Sequence, residues 1–391
     1  MIGRLGQWVG GGILWLVIVA SLSLALIPHF LDAIYYQGPP GPHFDGQRFF
    51  NPDGDPFVTP RTDGRARQQF LTRLLTARRV GPDWPERIAV HPVDPPRRVQ
   101  GNRLVVTWVG HSTVLVQTQG LNILTDPTWA NRAGPFGVGP HRVAPPGIAF
   151  DRLPRIDVVL ISHDHYDHMD LSTLKKLWAR DRPLIVTSLG NDRVIGSVGV
   201  PARALDWGAR LMVRPGIGII VARVHHWGSR WFTDRNRALW SGFVVTLPGG
   251  NLFFAGDTGA GDLRWADAVA HYGPVRLALI PIGAFRFEPG QMEAGSHIGP
   301  VDAVEVFRRL GARRAIGVHW GTFRLSYEQF GTPPRLLAAA LACTRQPRQF
   351  DTVPIGVPQD IAPYSPLAAT RPMDRSALLR CLDTPMVRAL R

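Results

Sequence analysis

The segment His163-Asp164-His165-Tyr166-Asp167-His168 places three imidazoles and the Asp167 carboxylate within six residues. Such a cluster is costly as core filler, because each polar group needs a hydrogen bond or a charge partner once buried. As a metal-binding segment it makes chemical sense: imidazole and carboxylate are good zinc ligands, and a catalytic zinc keeps one position open for water. A solvated histidine-rich loop is the plain alternative, and three further residues weigh against it. His226 follows the apolar run ending at Val224, Asp257 follows Leu252-Phe253-Phe254-Ala255-Gly256, and His319 follows Ala315-Ile316-Gly317-Val318. Each stands at the carboxyl end of an expected strand, the rim on which α/β proteins build their sites. Any one of them alone would be an ordinary structural residue; with the cluster they make a set of seven ligands. Seven fits two metal ions, three ligands for each and one carboxylate between. Two ions about 3.5–4 Å apart can hold a hydroxide and offset the charge of a displacement, and a bound zinc brings the pKa of its water toward about 7. No serine, cysteine or aspartate nucleophile is then required.

Strands and helices must carry these residues. Short β-branched runs alternate with turn signals at Leu104–Trp108, Thr113–Gln117, Asn122–Leu124, Asp157–Ser162 and Leu184–Thr187, then at Ile217–Val224, Gly242–Thr246, Asn251–Ala255, Leu277–Ile280 and Ala315–Val318. These predict strands. Asp170 can cap a helix with Leu171, Leu174, Leu177 and Trp178 on one face, and Val301, Val304, Phe307 and Leu310 mark another that Gly311 stops. Strands with interspersed helices make a layered α/β domain. Ahead of it, residues 37–60 are rich in Pro and Gly and should form an extended arm. Arg65–Arg79 reads as a short basic helix with Phe70, Leu71, Leu74 and Leu75 on one face, and a proline-rich stretch, His91–Pro96, follows. The sequence beyond about Gly331 is Pro-, Ala- and Arg-rich and directs little. The expected division is an anchor or signal segment over 1–31, the arm and short helix over 32–100, the layered α/β domain that carries the seven ligands over 101–340 and an extension over 341–391.

The balance of 45% apolar and 19% charged residues is that of a globular protein. Cys343 and Cys381 form neither a disulfide framework nor a thiolate zinc site, and they are free to pair with each other, which leaves the redox compartment open. The formal charge of +14 is almost all arginine. It would suit an anionic membrane or nucleic acid. The arginines are scattered, however, and no RNA-binding or helix-turn-helix signature accompanies them, so nucleic acid is not an expected partner. From Leu5 to Leu31 there is no Asp, Glu, Lys or Arg. Crossing a bilayer takes roughly 20 apolar residues, and Trp8 to Ile27 supplies them, with Trp8, Tyr35 and Tyr36 as interfacial anchors. A cleaved signal peptide with Ser23-Leu24-Ala25 at its cleavage site is the competitor. The apolar run continues to Leu31, which favours an uncleaved single-pass transmembrane helix. Arg4 then points the N-terminus to the cytoplasm and the catalytic part to the extracytoplasmic, periplasmic side.

The pattern His-x-His-x-Asp-His with a later His, Asp and His resembles the metallo-β-lactamase superfamily. Within it, Gly110-His111-Ser112-Thr113-Val114, Leu124-Thr125-Asp126-Pro127, the cluster itself, Phe253-Phe254-Ala255-Gly256-Asp257-Thr258-Gly259, Pro281-Ile282-Gly283-Ala284 and His319-Trp320-Gly321-Thr322-Phe323 look like N-acylphosphatidylethanolamine-hydrolysing phospholipase D. The likeness runs from about Val106 to Phe323, and the arm His43-Phe44-Asp45-Gly46-Gln47-Arg48-Phe49-Phe50-Asn51-Pro52 is similar to one in bacterial members.

The resemblance implies a four-layer αββα sandwich with two zinc ions at one edge. His163, His165 and His226 would hold one ion, Asp167, His168 and His319 the other, with Asp257 bridging. His226 is preferred to His225 because the family places its ligand directly before a tryptophan, here Trp227. His297 matches a family histidine that faces the substrate, where it could orient a phosphate or protonate a leaving alkoxide. Asp167 and His297 are the expected catalytic residues. The implied reaction is phosphodiester hydrolysis by a metal-bridging hydroxide, with a membrane phospholipid as substrate, giving N-acylethanolamine and phosphatidic acid. The stretch Phe285 to Ser296 is longer than in the family and would reshape the pocket. Asp126 is expected to support a ligand imidazole by a hydrogen bond, and His111 to be structural. Trp227, Trp231, Trp240 and Trp320 are expected to pack in the core, and Ser229-Arg230-Trp231 could meet a phosphate and an acyl chain. A lactonase or small-molecule phosphodiesterase is the alternative enzyme. A non-catalytic envelope metal-binding protein and an iron redox enzyme on the same fold are the other rivals.

Overall fold

Strands whose side chains are apolar on both faces must be covered on both faces, and that requirement sets the layers here. In the computed structural model, which describes residues 2–31, 33–54, 84–231, 233–287, 295–344, 349–366 and 374–390, the strands form two seven-stranded sheets. The expected helix Arg65–Arg79 lies outside the described residues, as does most of the stretch from Phe285 to Ser296. The first sheet contains β1 (Leu104–Gly110), β2 (Thr113–Thr118), β3 (Leu121–Thr125), β4 (Val158–Ile161), β5 (Leu184–Ser188) and β6 (Arg203–Leu205). The second contains β7 (Arg210–Arg214), β8 (Ile217–Ala222), β9 (Gly242–Thr246), β10 (Asn251–Phe254), β11 (Val275–Pro281), β12 (Arg314–Val318) and β13 (Gln349–Asp351). A last strand, β14 (Gln359–Ile361), returns to the first sheet beside β1, giving the orders β14-β1-β2-β3-β4-β5-β6 and β13-β12-β11-β10-β9-β8-β7. Both sheets are mixed: β3, β4, β5 and β6 run parallel, as do β10, β11, β12 and β13, while the other pairs are antiparallel.

The described helices are α1 (Ile2–Leu31), α2 (Leu171–Asp181), α3 (Asn191–Gly196), α4 (Arg264–Ala270), α5 (Pro300–Arg309), α6 (Thr332–Thr344), α7 (Arg375–Leu382) and α8 (Pro385–Arg388). Between the sheets, Val106, Trp108 and Leu160 pack with Val221, Phe243 and Leu279. On the outer face of the first sheet, Leu124, Val159 and Ile161 meet Leu174, Leu177 and Ile195 of α2 and α3. On the outer face of the second, Ile220, Phe253 and Ile280 meet Trp265, Val304, Phe307 and Leu337. Neighbouring residues of one strand thus serve different cores, as period-two alternation requires. Each such side chain contributes about 1.5–3 kcal/mol, and the result is the αββα sandwich of the metallo-β-lactamase fold.

Every run expected to be a strand is one, and the two helices expected within the layered domain form, α2 with Asp170 accepting hydrogen bonds from the backbone of Ser172 and Thr173. The strands β6, β7, β13 and β14 were not legible: they are short, lie at or next to sheet edges and carry arginine, glutamine and aspartate. Polar edge strands suit solvent but erase the apolar signal. Cys343 of α6 and Cys381 of α7 form a disulfide.

The run expected to cross a bilayer forms α1, yet among the described residues no helix is long and apolar enough to cross a membrane. The expectation of a single-pass anchor, with the catalytic part outside the cytoplasm, is corrected accordingly.

Candidate metal centre

The first sheet delivers its share of the site from the ends of β1, β3 and β4. Beyond Ile161 the chain turns through Ser162 into His163–His168 and then enters α2, so the cap at Asp170 fixes the exit of the loop. The second sheet delivers His226 beyond β8, Asp257 beyond β10 and His319 beyond β12. Gly256 has φ +62, and a Cβ there would lie 2.5 Å from Cβ of Ser162. Only glycine lets the Asp257 loop approach the β4 loop this closely. The ends of β12 and β1 are tied by the His319 amide, which donates to the His111 carbonyl at 3.1 Å.

All seven expected metal residues meet at this rim. The ligating atoms of His163, His165 and His226 lie within 4.8 Å of one another, and so do those of Asp167, His168, His319 and His111. Asp257 lies between the two groups. Its Oδ2 is 3.1 Å from Nε2 of both His168 and His319, and 3.9 Å from Nε2 of His226. His297, from the segment before α5, places Nδ1 3.7 Å from the same oxygen and its ring 5.1 Å from that of His226.

Burial and charge prepare these groups for a cation. Burial holds His163 and His226 well below the ordinary imidazole range, and lowers His165 and His297 to about 4, so that their lone pairs are free. Burial would raise Asp257 and Asp167, but the facing His168 outweighs it and both carboxyls stay ionised. The two aspartates in turn push His168 well up and His319 to about 9 against the effect of burial. The pocket therefore calls for positive charge beside Asp257, which protons on two histidines or metal ions can supply. Nε2 of His165, His168, His226 and His319 and Oδ1 of Asp257 are buried without a hydrogen-bond partner. Orphans of this kind, converging from imidazoles and an ionised carboxylate, are the donor set a divalent metal binds once the ring nitrogens give up their protons.

The opposite ring nitrogens are held. His168 Nδ1 donates to Asp126 at 2.7 Å, and Asp126 also accepts from the amide and hydroxyl of Ser162. The Ser162 hydroxyl is 2.8 Å from His163 Nδ1, and His226 Nδ1 donates to the Ser296 carbonyl at 2.8 Å. Asp126 was expected in this role; Ser162 and Ser296 were not, because a serine beside a histidine carries no signal of its own. His111 is the larger surprise. It lies in the turn after β1 with φ +53, and its Nε2 bonds Asp167 Oδ2 at 2.9 Å. The clue was its place after an apolar strand, the same that marked His319.

His225 points away, to Asp53. Arg230 Nη1 donates to the carbonyls of Asp164 and Met169 at 2.8 and 2.9 Å, and its guanidinium lies over the Tyr166 ring, so it braces the loop. Trp240 packs in the core, Trp320 is part-buried against it, and the Trp227 ring lies 4.3 Å from that of His165.

An αββα sandwich with histidines and aspartates gathered at one rim defines the class. The chain belongs to the beta-lactamase superfamily, among the metal-dependent hydrolases of that fold: residues 121–320 match the beta-lactamase superfamily domain. More particularly, it is similar to the N-acyl-phosphatidylethanolamine-hydrolyzing phospholipase D 1 of Caenorhabditis elegans, 37% identical over 243 residues, which cover 59% of this chain and 68% of that protein. An uncharacterised protein of Mycobacterium tuberculosis is 37% identical over 251 residues, 62% of this chain and 66% of its own length. The chain thus spans about two thirds of the length of these relatives. Among solved structures, a possible metal-dependent hydrolase from Veillonella parvula shares the fold, with TM-score 0.53 and 14% identity over 66% of this chain and 99% of that one.

Proposed function

We propose that this chain is a zinc-dependent phosphodiester hydrolase that cleaves N-acylphosphatidylethanolamine to N-acylethanolamine and phosphatidic acid. The observation that carries the metal reading is Asp257 Oδ2, placed between two groups of inward-facing ring nitrogens. The likeness to the nematode phospholipase D supports the substrate.

His163, His165 and His226 would hold one ion and Asp167, His168 and His319 the second, with Asp257 shared. Two divalent cations so held lower the pKa of water and offset the charge that gathers on phosphoryl oxygens. The chain's own groups do the rest. Asp126 keeps the proton of His168 on Nδ1, the Ser296 carbonyl does the same for His226, and both leave Nε2 facing inward. His111 fixes the rotamer of Asp167 through its 2.9 Å bond. His297, about one tenth exposed and held neutral by burial, stands beside Asp257 and His226, where its ring N–H would orient the phosphate.

The test is to incubate zinc-loaded protein with N-acylphosphatidylethanolamine and read the products by mass spectrometry. N-acylethanolamine with phosphatidic acid is the expected pair. A fully metallated protein that leaves this lipid intact refutes the substrate, and turnover of a lactone or a water-soluble phosphodiester instead would assign the site to that chemistry.

A further inference from the structure

The arm that precedes the hydrolase domain reaches into the metal centre. Phe44 and Phe49 are buried in the core of the second sheet, with Tyr36 packed on both rings at 5.0 and 5.3 Å. From this anchorage the arm runs along the connection between β8 and β9, the loop that carries His226. On the far limb of that loop, the Phe49 amide donates to the Asn236 carbonyl at 2.8 Å, Arg48 donates to the carbonyls of Arg235 and Thr233, and the Tyr35 hydroxyl donates to Asp234. On the near limb, Asn51 Nδ2 donates to the carbonyl of His226 itself at 2.8 Å, while its Oδ1 accepts from Trp240 Nε1 at 3.2 Å.

Asp53 completes the grip. It accepts from His225 Nδ1 at 3.0 Å, from Arg223, and from the amide of Asp262 at 2.8 Å. It therefore ties the His226 loop to the segment that follows Asp257. The His225 carbonyl accepts from the Gly259 amide at 2.5 Å, and the His225 amide donates to Thr258, so the backbone beside both ligands forms one fabric with the arm. His226 Nδ1 is fixed by Ser296, which sets its tautomer, but the height of the ring above Asp257 follows from the backbone that Asn51 holds.

We propose that Asn51 and Asp53 are positioning residues of the metal centre, through which the arm sets the separation between His226 and Asp257. The inference rests on the reading of His226 and Asp257 as metal residues. A ring displaced by a fraction of an ångström loses ligand geometry, and groups that orient ligands in this way typically govern metal affinity by about 10–100-fold.

The experiment uses the full chain and zinc alone, titrated against a competing chromophoric chelator, with thermal melts of the metal-free protein in parallel. Asn51→Ala should weaken the tighter-held zinc by about tenfold or more. Asp53→Asn, which keeps the shape and part of the hydrogen bonding, should weaken it less. Tyr35→Phe, cut from the far limb, should lower the metal-free melting temperature and leave the affinity unchanged. If both arm variants lower the melting temperature of the metal-free protein while binding zinc as the unaltered chain does, the arm is only a clamp on the fold and the proposal falls. Should Asn51→Ala fail to fold, Asp53→Asn decides by the same comparison. An unaltered chain that binds no zinc would instead overturn the function on which the inference rests.

Discussion

Asp126→Asn removes one charge and changes almost no volume at a residue that is fully buried. All its partners are donors: the Ser162 amide at 2.7 Å, the Ser162 hydroxyl at 2.6 Å and His168 Nδ1 at 2.7 Å. An asparagine offers one acceptor oxygen and one donor NH2. If its nitrogen faces His168, the imidazole must move its proton to Nε2, the atom turned toward Asp257. That same position, in place of Oδ2, also faces the Ser162 hydroxyl; if the nitrogen instead takes the place of Oδ1, it confronts the Ser162 amide, donor against donor. Either orientation leaves a buried donor unsatisfied, at a cost of about 1–3 kcal/mol. Loss of a partner of this kind weakens metal binding by about 10–100-fold, or about 1.4–2.8 kcal/mol at 1.4 kcal/mol per tenfold. Chelator competition with zinc reads the loss of affinity, and thermal unfolding of the metal-free protein reads the cost of the unsatisfied donor. A folded Asp126→Asn protein that binds zinc within about twofold of the unaltered chain would show that the hydrogen bond to His168 does not govern the ligand, and would refute the reasoning.

His297→Ala should retain its metal content and lose turnover by about 10²–10⁴-fold; loss of metal on elemental analysis would instead make the residue a ligand. Replacing Cys343 and Cys381 together by serine opens a loop with a sequence separation of 38 residues, and denaturant unfolding should show a loss of up to about 4 kcal/mol with metal binding intact. Burial alone would raise the Glu305 carboxyl, but hydrogen bonds from Arg308 and Arg309 at 2.6–2.8 Å hold it below its ordinary value of 4.5. Because the folded state resists protonation there, this stabilisation is complete above that ordinary value and is lost as pH falls through the depressed one. Melting temperatures from about pH 6 to about pH 3 should fall less steeply for Glu305→Gln than for the unaltered chain.

The chemistry was more legible than its supports. His163 to His168 announce themselves because imidazoles and a carboxylate so close together have no cheap structural use, and Asp257 and His319 because each ends an apolar strand. The central strands were readable because they are buried along their whole length and almost entirely apolar, Arg276 in β11 being the charged exception among them. His111 was read as structural, and its bond to Asp167 was not legible, since one histidine after one strand is the commonest of patterns. Asn51 and Asp53 lie about 175 and 172 residues from the histidines they hold. No local periodicity encodes a pairing over that distance. The edge strands β13 and β14, three residues each, take their shape from the strands beside them and not from their own sequence.

The most direct test of the dinuclear site is elemental analysis of the purified chain and of Asp257→Ala, each assayed for hydrolysis at the same protein concentration. If Asp257 is shared, the unaltered chain should carry about two metal ions and turn over substrate, while the variant should lose metal and activity together. An Asp257→Ala protein with undiminished metal and full activity would contradict the shared carboxylate at the centre of the site.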